Sequence, residues 1–349
     1  MPRGAIGDLP LSGGGSLEGA EIAYETWGPP SPEAVLICHA LTGDECPGDV
    51  AGKQGWWRGI VGPGQVIDTR RSFVVASNVI GSCYGSTGPD AEGRLAGGRP
   101  FPAVSVQDMV TAQGRLLRTL GVERLRLVIG GSLGGLQALA WAGQGSLPVR
   151  QAIAIGAADR LPALQVALCH AQHVALELGL RHGDAAGGLR AARAIAMTTY
   201  RSDPHFEERF GRSPAPRGGR RFAVESYLDH HGDRLAERFS AWSYLVLSRA
   251  MATFAWDLGV RQGTRVDLVA IQHDWLFPES AVASLDARLR RRGVAGGLGR
   301  LETEMGHDAF LAEQESLAVI LRGQIAETAA APPRGGAAEI GPAGRAAVR

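Results

Sequence analysis

At 349 residues the chain is long enough to bury a large core, and 45% hydrophobic content is ordinary for a globular protein. Lys plus Arg at 36 against Asp plus Glu at 35 leave a net charge of +1, which removes the electrostatic case for nucleic acid or a membrane surface as partner. Cys38, Cys46, Cys83 and Cys169 lack the paired short spacings of a zinc site or a disulfide framework, and no apolar run has the length of a leader or a membrane span. The expectation is a cytoplasmic protein without metal.

In chain order, strand-like runs occupy residues 21–27, 34–39 and 73–79. A helical pattern over 106–120 leads into strand 125–129, and a further strand follows at 151–155. From 161 to 258 the strand signal stops, and helical stretches take over at 161–179, 188–198, 222–230 and 235–254. Strand 266–272, helix 280–292 and strand 300–305 then resume the earlier rhythm. Such alternation specifies an α/β fold with a mostly parallel central sheet and helices on both faces. The predicted organisation is a core from 1–160 and 259–327, a helical cap inserted at 161–258, and a disordered, Ala/Pro/Gly-rich tail at 328–349.

The run Leu127-Val128-Ile129-Gly130-Gly131-Ser132-Leu133-Gly134-Gly135 sets an apolar strand against a G-x-S-x-G turn, with helix-forming residues behind it. This is the pattern of a nucleophile elbow, in which glycines allow a turn too sharp for any Cβ and one serine is thrust out at the strand end. A serine hydroxyl needs a base and the base needs an acid, which in this architecture follow in the order Ser, Asp, His. Asp274 emerges after strand 266–272, and His307 lies in the loop after strand 300–305. His273 rivals His307, although adjacent strand-end residues point to opposite sides. Asp257 and Asp267 rival Asp274 but lie before the strand or at its start. His39, His170, His173 and the pair His230-His231, the last placed in a polar turn, read as structural or solvated.

Beyond the elbow, a set of motifs runs through the chain in order. They include His39-Ala40-Leu41-Thr42-Gly43-Asp44, Gly55-Trp56-Trp57, Gly62-Pro63-Gly64, Gly85-Ser86-Thr87-Gly88-Pro89, Thr199-Tyr200-Arg201-Ser202 and Gly306-His307-Asp308-Ala309-Phe310. Together they resemble the homoserine O-acetyltransferase family of the α/β-hydrolase superfamily, over roughly residues 19–323. The resemblance implies an α/β-hydrolase fold and transfer of an acetyl group from acetyl-CoA, a co-substrate, to L-homoserine through an acetyl-serine, with no cofactor and within methionine biosynthesis. It implies catalytic Ser132, Asp274 and His307, and an oxyanion hole from the backbone N–H groups of Leu41 and Leu133. It further implies Arg193 and Asp308 as the groups that bind the amino acid, and a homodimer formed through the cap. L-Serine as acceptor, succinyl-CoA as donor, or plain ester hydrolysis are the alternatives that share this chemistry. Departures from the family pattern are Leu133 in place of methionine, Glu45-Cys46-Pro47 after the oxyanion loop, a short cap between 172 and 188, and the bulk of Trp242.

Overall fold

The computed structural model describes residues 2–95, 98–215 and 220–330. Strands β1 (Arg3–Pro10), β2 (Ser16–Trp27) and β3 (Glu33–Cys38) come first, then a short parallel pair, β4 (Val61–Gly62) and β5 (Ile67–Asp68), and then β6 (Phe73–Ser77). Helix α1 (Val106–Thr119), β7 (Arg124–Gly131), α2 (Leu133–Gln144) and β8 (Val149–Ile155) follow. Five helices come next: α3 (Ala163–Arg181), α4 (Ala185–Tyr200), α5 (Asp203–Phe210), α6 (Ala223–Ala236) and α7 (Ala241–Thr253). The chain returns through β9 (Arg265–Ile271), α8 (Glu279–Arg291), β10 (Leu298–Leu301), α9 (Ala309–Ala312) and α10 (Gln314–Ala330).

The main sheet has eight strands in the order β1-β2-β6-β3-β7-β8-β9-β10. Pairing is parallel from β6 through β10, and only β1 and β2 add antiparallel. Strands with both faces covered are mainly apolar, and alternate side chains feed opposite cores. Leu36, Val128, Ala154 and Leu268 pack with α1, α2 and α8, whereas Ile37, Ile129, Ile155 and Val269 pack with α10. The first of these cores continues without a break into the inserted helices through Leu176, Leu189, Ala196 and Tyr244. No helix among the described residues is long and apolar enough to cross a membrane.

Several boundaries differ from the sequence reading. β1 escaped it because Gly4, Gly7 and Pro10 interrupt the alternation, and the strand is held by its pairing with β2, across register shifts at Gly7. The helical stretch 235–254 is two helices, because Ser240 stops one chain direction and caps the next by accepting from the Ser243 N–H at 3.3 Å. α5 was not expected at all. His230 and His231 lie on α6 instead of in a turn, and β10 ends at Leu301 instead of 305. The predicted tail starts inside α10, which continues to Ala330; residues 331–349 lie outside the described residues.

Candidate active site

Ser132 stands between β7 and α2 with φ 57° and ψ −125°, a left-handed backbone that a side chain rarely adopts. The neighbouring glycines make the turn possible. A Cβ on Gly130 would come within 2.5 Å of the Cys38 carbonyl oxygen, and one on Gly134 within 2.1 Å of the same atom. The Ser132 N–H donates to Ile155 O at 2.9 Å, and its carbonyl accepts from Leu136 N–H at 3.1 Å. The hydroxyl is not spent on capping α2.

β7, β9 and β10 run parallel, so the residues after each emerge on one edge of the sheet. Asp274 follows β9 and His307 follows β10, and their side chains meet: His307 Nδ1 lies 2.6 Å from Asp274 Oδ2. The other Asp274 oxygen accepts from the N–H groups of Leu276 and Phe277, both at 2.8 Å. The imidazole is walled by the rings of Tyr200, Phe277 and Phe310, with centroids 5.6 to 6.0 Å away. Burial on its own would depress the His307 pKa, yet the charge and hydrogen bond of Asp274, aided by Asp308, raise it above its ordinary value. Its Nε2 is buried and has no hydrogen-bond partner among the described residues.

The rivals are placed elsewhere. His273 sits at φ 57° with Nε2 3.5 Å from Glu304 and 3.2 Å from the Gln272 amide, on the outer side of the loop. Asp267 is fully buried and committed to Arg265, to the Gln151 amide and to Gly297 N–H. Asp257 turns back to the Gly259 N–H. His39 uses both ring nitrogens within the protein. All four cysteines are free thiols, and burial with the Glu45 and Asp44 charges pushes Cys46 up to about 12.

Leu41 is buried in the loop after β3, and Leu133 is the first residue of α2. The N–H of a first helical residue has no acceptor within its own helix, so Leu133 presents a donor at the positive end of the helix dipole.

Above this edge the inserted helices contribute charge. Arg193 on α4 stacks its guanidinium 5.0 Å from the Tyr200 ring, and its Nε is buried without a hydrogen-bond partner among the described residues. Arg190, one turn earlier, points outward to an exposed ion pair with Asp233 at 2.6 Å. Asp308 adjoins His307 in sequence and pairs with Arg201 Nη2 at 3.2 Å. Arg201 also donates from Nε to the Tyr227 hydroxyl at 3.3 Å, while its Nη1 is buried without a partner among the described residues. His231 feels burial first, then Arg193, His230 and Arg201, and is pushed down to about 4, so it adds no charge near neutral pH. Two guanidiniums against one carboxylate leave an excess positive charge on the cap side, suited to an anionic group. Arg201 lies in the Thr199-Tyr200-Arg201-Ser202 motif, but its pairing with Asp308 spans more than a hundred residues and leaves no local signal. Trp242 packs on Gly93 and lines a separate cavity of about 690 Å³ with Phe101, Val104 and Arg249.

A serine on an elbow after β7, an acid after β9 and a histidine after β10, beneath helices inserted after β8, define an α/β hydrolase. The profile described as "alpha/beta hydrolase fold" matches residues 33–312, and the chain belongs to that family. Within it, the chain is 40% identical over 357 residues to the homoserine O-acetyltransferase of Thermobifida fusca, covering 91% of this chain and 92% of that protein. The crystal structure of homoserine O-acetyltransferase from Staphylococcus aureus superposes with a TM-score of 0.77 at 26% identity, over 92% of this chain and 94% of that one. Esterase E22 superposes with a TM-score of 0.83 at 20% identity, over 93% and 99%, and shares the fold. The chain belongs to the homoserine O-acetyltransferase family and is an acyltransferase.

Proposed function

We propose that the protein transfers an acetyl group from acetyl-CoA to the side-chain hydroxyl of L-homoserine, in methionine biosynthesis, in two half-reactions. His307 Nε2 takes the proton from Ser132 Oγ as that oxygen attacks the thioester carbon. The oxyanion of the tetrahedral intermediate is met by the Leu41 and Leu133 N–H groups. His307 then gives its proton to the departing CoA sulfur, leaving acetyl-Ser132. Homoserine enters with its α-carboxylate on Arg193 and its ammonium on Asp308. Its hydroxyl proton passes to His307 as the oxygen attacks the ester, and the proton returns to Ser132 as the product leaves. Asp274 holds the imidazole in the tautomer this requires and stabilises its charged form.

The observation that carries the reading is the buried His307–Asp274 pair at 2.6 Å, with Nε2 left open on the sheet edge that bears Ser132. A transferase must also keep its acyl-enzyme away from water, and both Ser132 and His307 are buried under a helical cap spanning 161–258, between core segments 1–160 and 259–327. The reading includes a cytoplasmic homodimer. Its support is the exposed apolar side of α3, with Leu164, Val166, Val174 and Leu178 open to solvent.

Mixing the enzyme with acetyl-CoA alone tests the proposal. The expected result is a burst of one free CoA per active site and one acetyl group on Ser132, then slow turnover until homoserine discharges it. Steady CoA release unaffected by homoserine would point to a hydrolase. Faster discharge by serine, or a burst only with succinyl-CoA, would keep the mechanism and change the substrate.

A further inference from the structure

The aim of the Leu41 N–H is set by the peptide plane it shares with the Ala40 carbonyl. A trans peptide is planar, so its C=O and N–H point in opposite directions, and whatever fixes one aims the other. The Ala40 oxygen accepts two hydrogen bonds, from His39 Nδ1 at 2.7 Å and from the Gly43 N–H at 2.9 Å. The ring that donates is itself gripped from behind. His39 Nε2 accepts from the Val79 N–H at 3.1 Å and from the Asn78 amide at 3.2 Å. A backbone N–H can only donate, so Nε2 is bare and the ring proton is on Nδ1. Burial holds the imidazole below its ordinary pKa, which keeps it neutral.

A second tie reaches the other donor. The buried amide of Gln137, on α2, donates to His39 O at 3.3 Å and to Leu133 O at 3.2 Å. Its own oxygen is held by Gln113 at 2.8 Å. The loop carrying Leu41 and the helix turn carrying Leu133 are thereby fixed to each other.

We propose that His39 is a positioning residue: its Nδ1–H clamps the Ala40–Leu41 peptide so that the Leu41 N–H meets the oxyanion of both tetrahedral intermediates. A bonded carbonyl also polarises the N–H of its own peptide, which strengthens the donor. The inference rests on Leu41 being an oxyanion donor.

Two substitutions separate the clamp from mere packing. An Asn side-chain amide reaches the place of Nδ1, and a Gln amide the place of Nε2. His39→Asn keeps the bond to Ala40 O and loses the one to Val79; His39→Gln does the reverse. Both should lower the melting temperature, but kcat should fall about threefold in His39→Asn and about 10- to 100-fold in His39→Gln. That loss is part of the ~10²–10³ that one oxyanion donor supplies. The homoserine KM should stay within about twofold in both, because the clamp does not touch the acceptor. Equal rates in the two variants, or rates that follow melting temperature, would overturn the proposal. If His39→Gln does not fold, Asn78→Leu carries the test by removing one of the two donors behind the ring: kcat should drop about threefold at constant KM, and an unchanged kcat refutes the clamp. Leu41→Pro, which deletes the N–H, distinguishes the two levels. Wild-type activity there would remove the oxyanion assignment itself, whereas an inactive Leu41→Pro beside a fully active His39→Gln would remove only the clamp.

Discussion

On the sheet side of the site the catalytic pair is held by protein partners and leaves only His307 Nε2 open; on the cap side two guanidiniums each keep a buried N–H without a partner among the described residues. Asp274 has both oxygens bonded, His307 is wedged among three rings, and the elbow admits no Cβ at Gly130 or Gly134. Across the gap, Arg193 and Arg201 each bury a guanidinium N–H that has no hydrogen-bond partner among the described residues. A buried donor left unpaired costs roughly 1–3 kcal/mol. On the proposed function, a zwitterionic amino acid would relieve that cost, and the cap would supply binding free energy while the sheet edge supplies geometry. The contrast separates chemistry from recognition: damage to the first should appear in kcat, damage to the second in KM for the acceptor.

The sharpest way to break this division is Ser132→Ala. Transfer should fall by about 10⁶-fold, the scale of losing the nucleophile of a triad, with little change in melting temperature. Mass spectrometry after acetyl-CoA addition should find no acetyl adduct. A folded Ser132→Ala enzyme that still transfers acetyl groups would end the elbow assignment.

Asp274→Asn comes next, with an expected loss of about 10⁴-fold near neutral pH, since the amide favours the wrong imidazole tautomer. The pH profile adds a sign. Asp274 raises the His307 pKa, and the base works only when neutral, so wild-type activity should climb with pH through a midpoint above that of an ordinary histidine. Removing the carboxylate should move that acid limb to lower pH in the residual activity. A limb that stays put would mean that His307 is not the group titrating.

The smallest effects belong to the cap and sharpen the comparison most. Arg193→Ala should cost about 10- to 100-fold in kcat/KM for homoserine, matching ~1.5–3 kcal/mol of charged hydrogen bonding. The acetyl-CoA burst should remain. Arg190→Ala should change neither, because its partner Asp233 is an exposed surface charge. A reversed pattern for the two arginines would shift the recognition site by one helical turn.

Much of the sheet side could be read from sequence because its signals are local. Glycines at 130 and 134 flanking Ser132, an apolar run ahead of Asp274 and a loop carrying His307 each occupy a few consecutive residues. The roles proposed for the cap side come only from family resemblance, since an arginine on a helix has the same local pattern whether it faces substrate, as proposed for Arg193, or solvent, as Arg190 does.

By itself the sequence determined the alternation of strands and helices, the place of the elbow and the order of serine, acid and base, because hydrophobic period and glycine spacing act over one element at a time. Only the tertiary structure decided that His307 Nδ1 comes within 2.6 Å of Asp274, that Arg201 rather than solvent pairs with Asp308, and that His39 grips the loop carrying Leu41. Those contacts join residues far apart in the chain, and burial sets their strength, so they exist only once the sheet and the inserted helices have closed on each other.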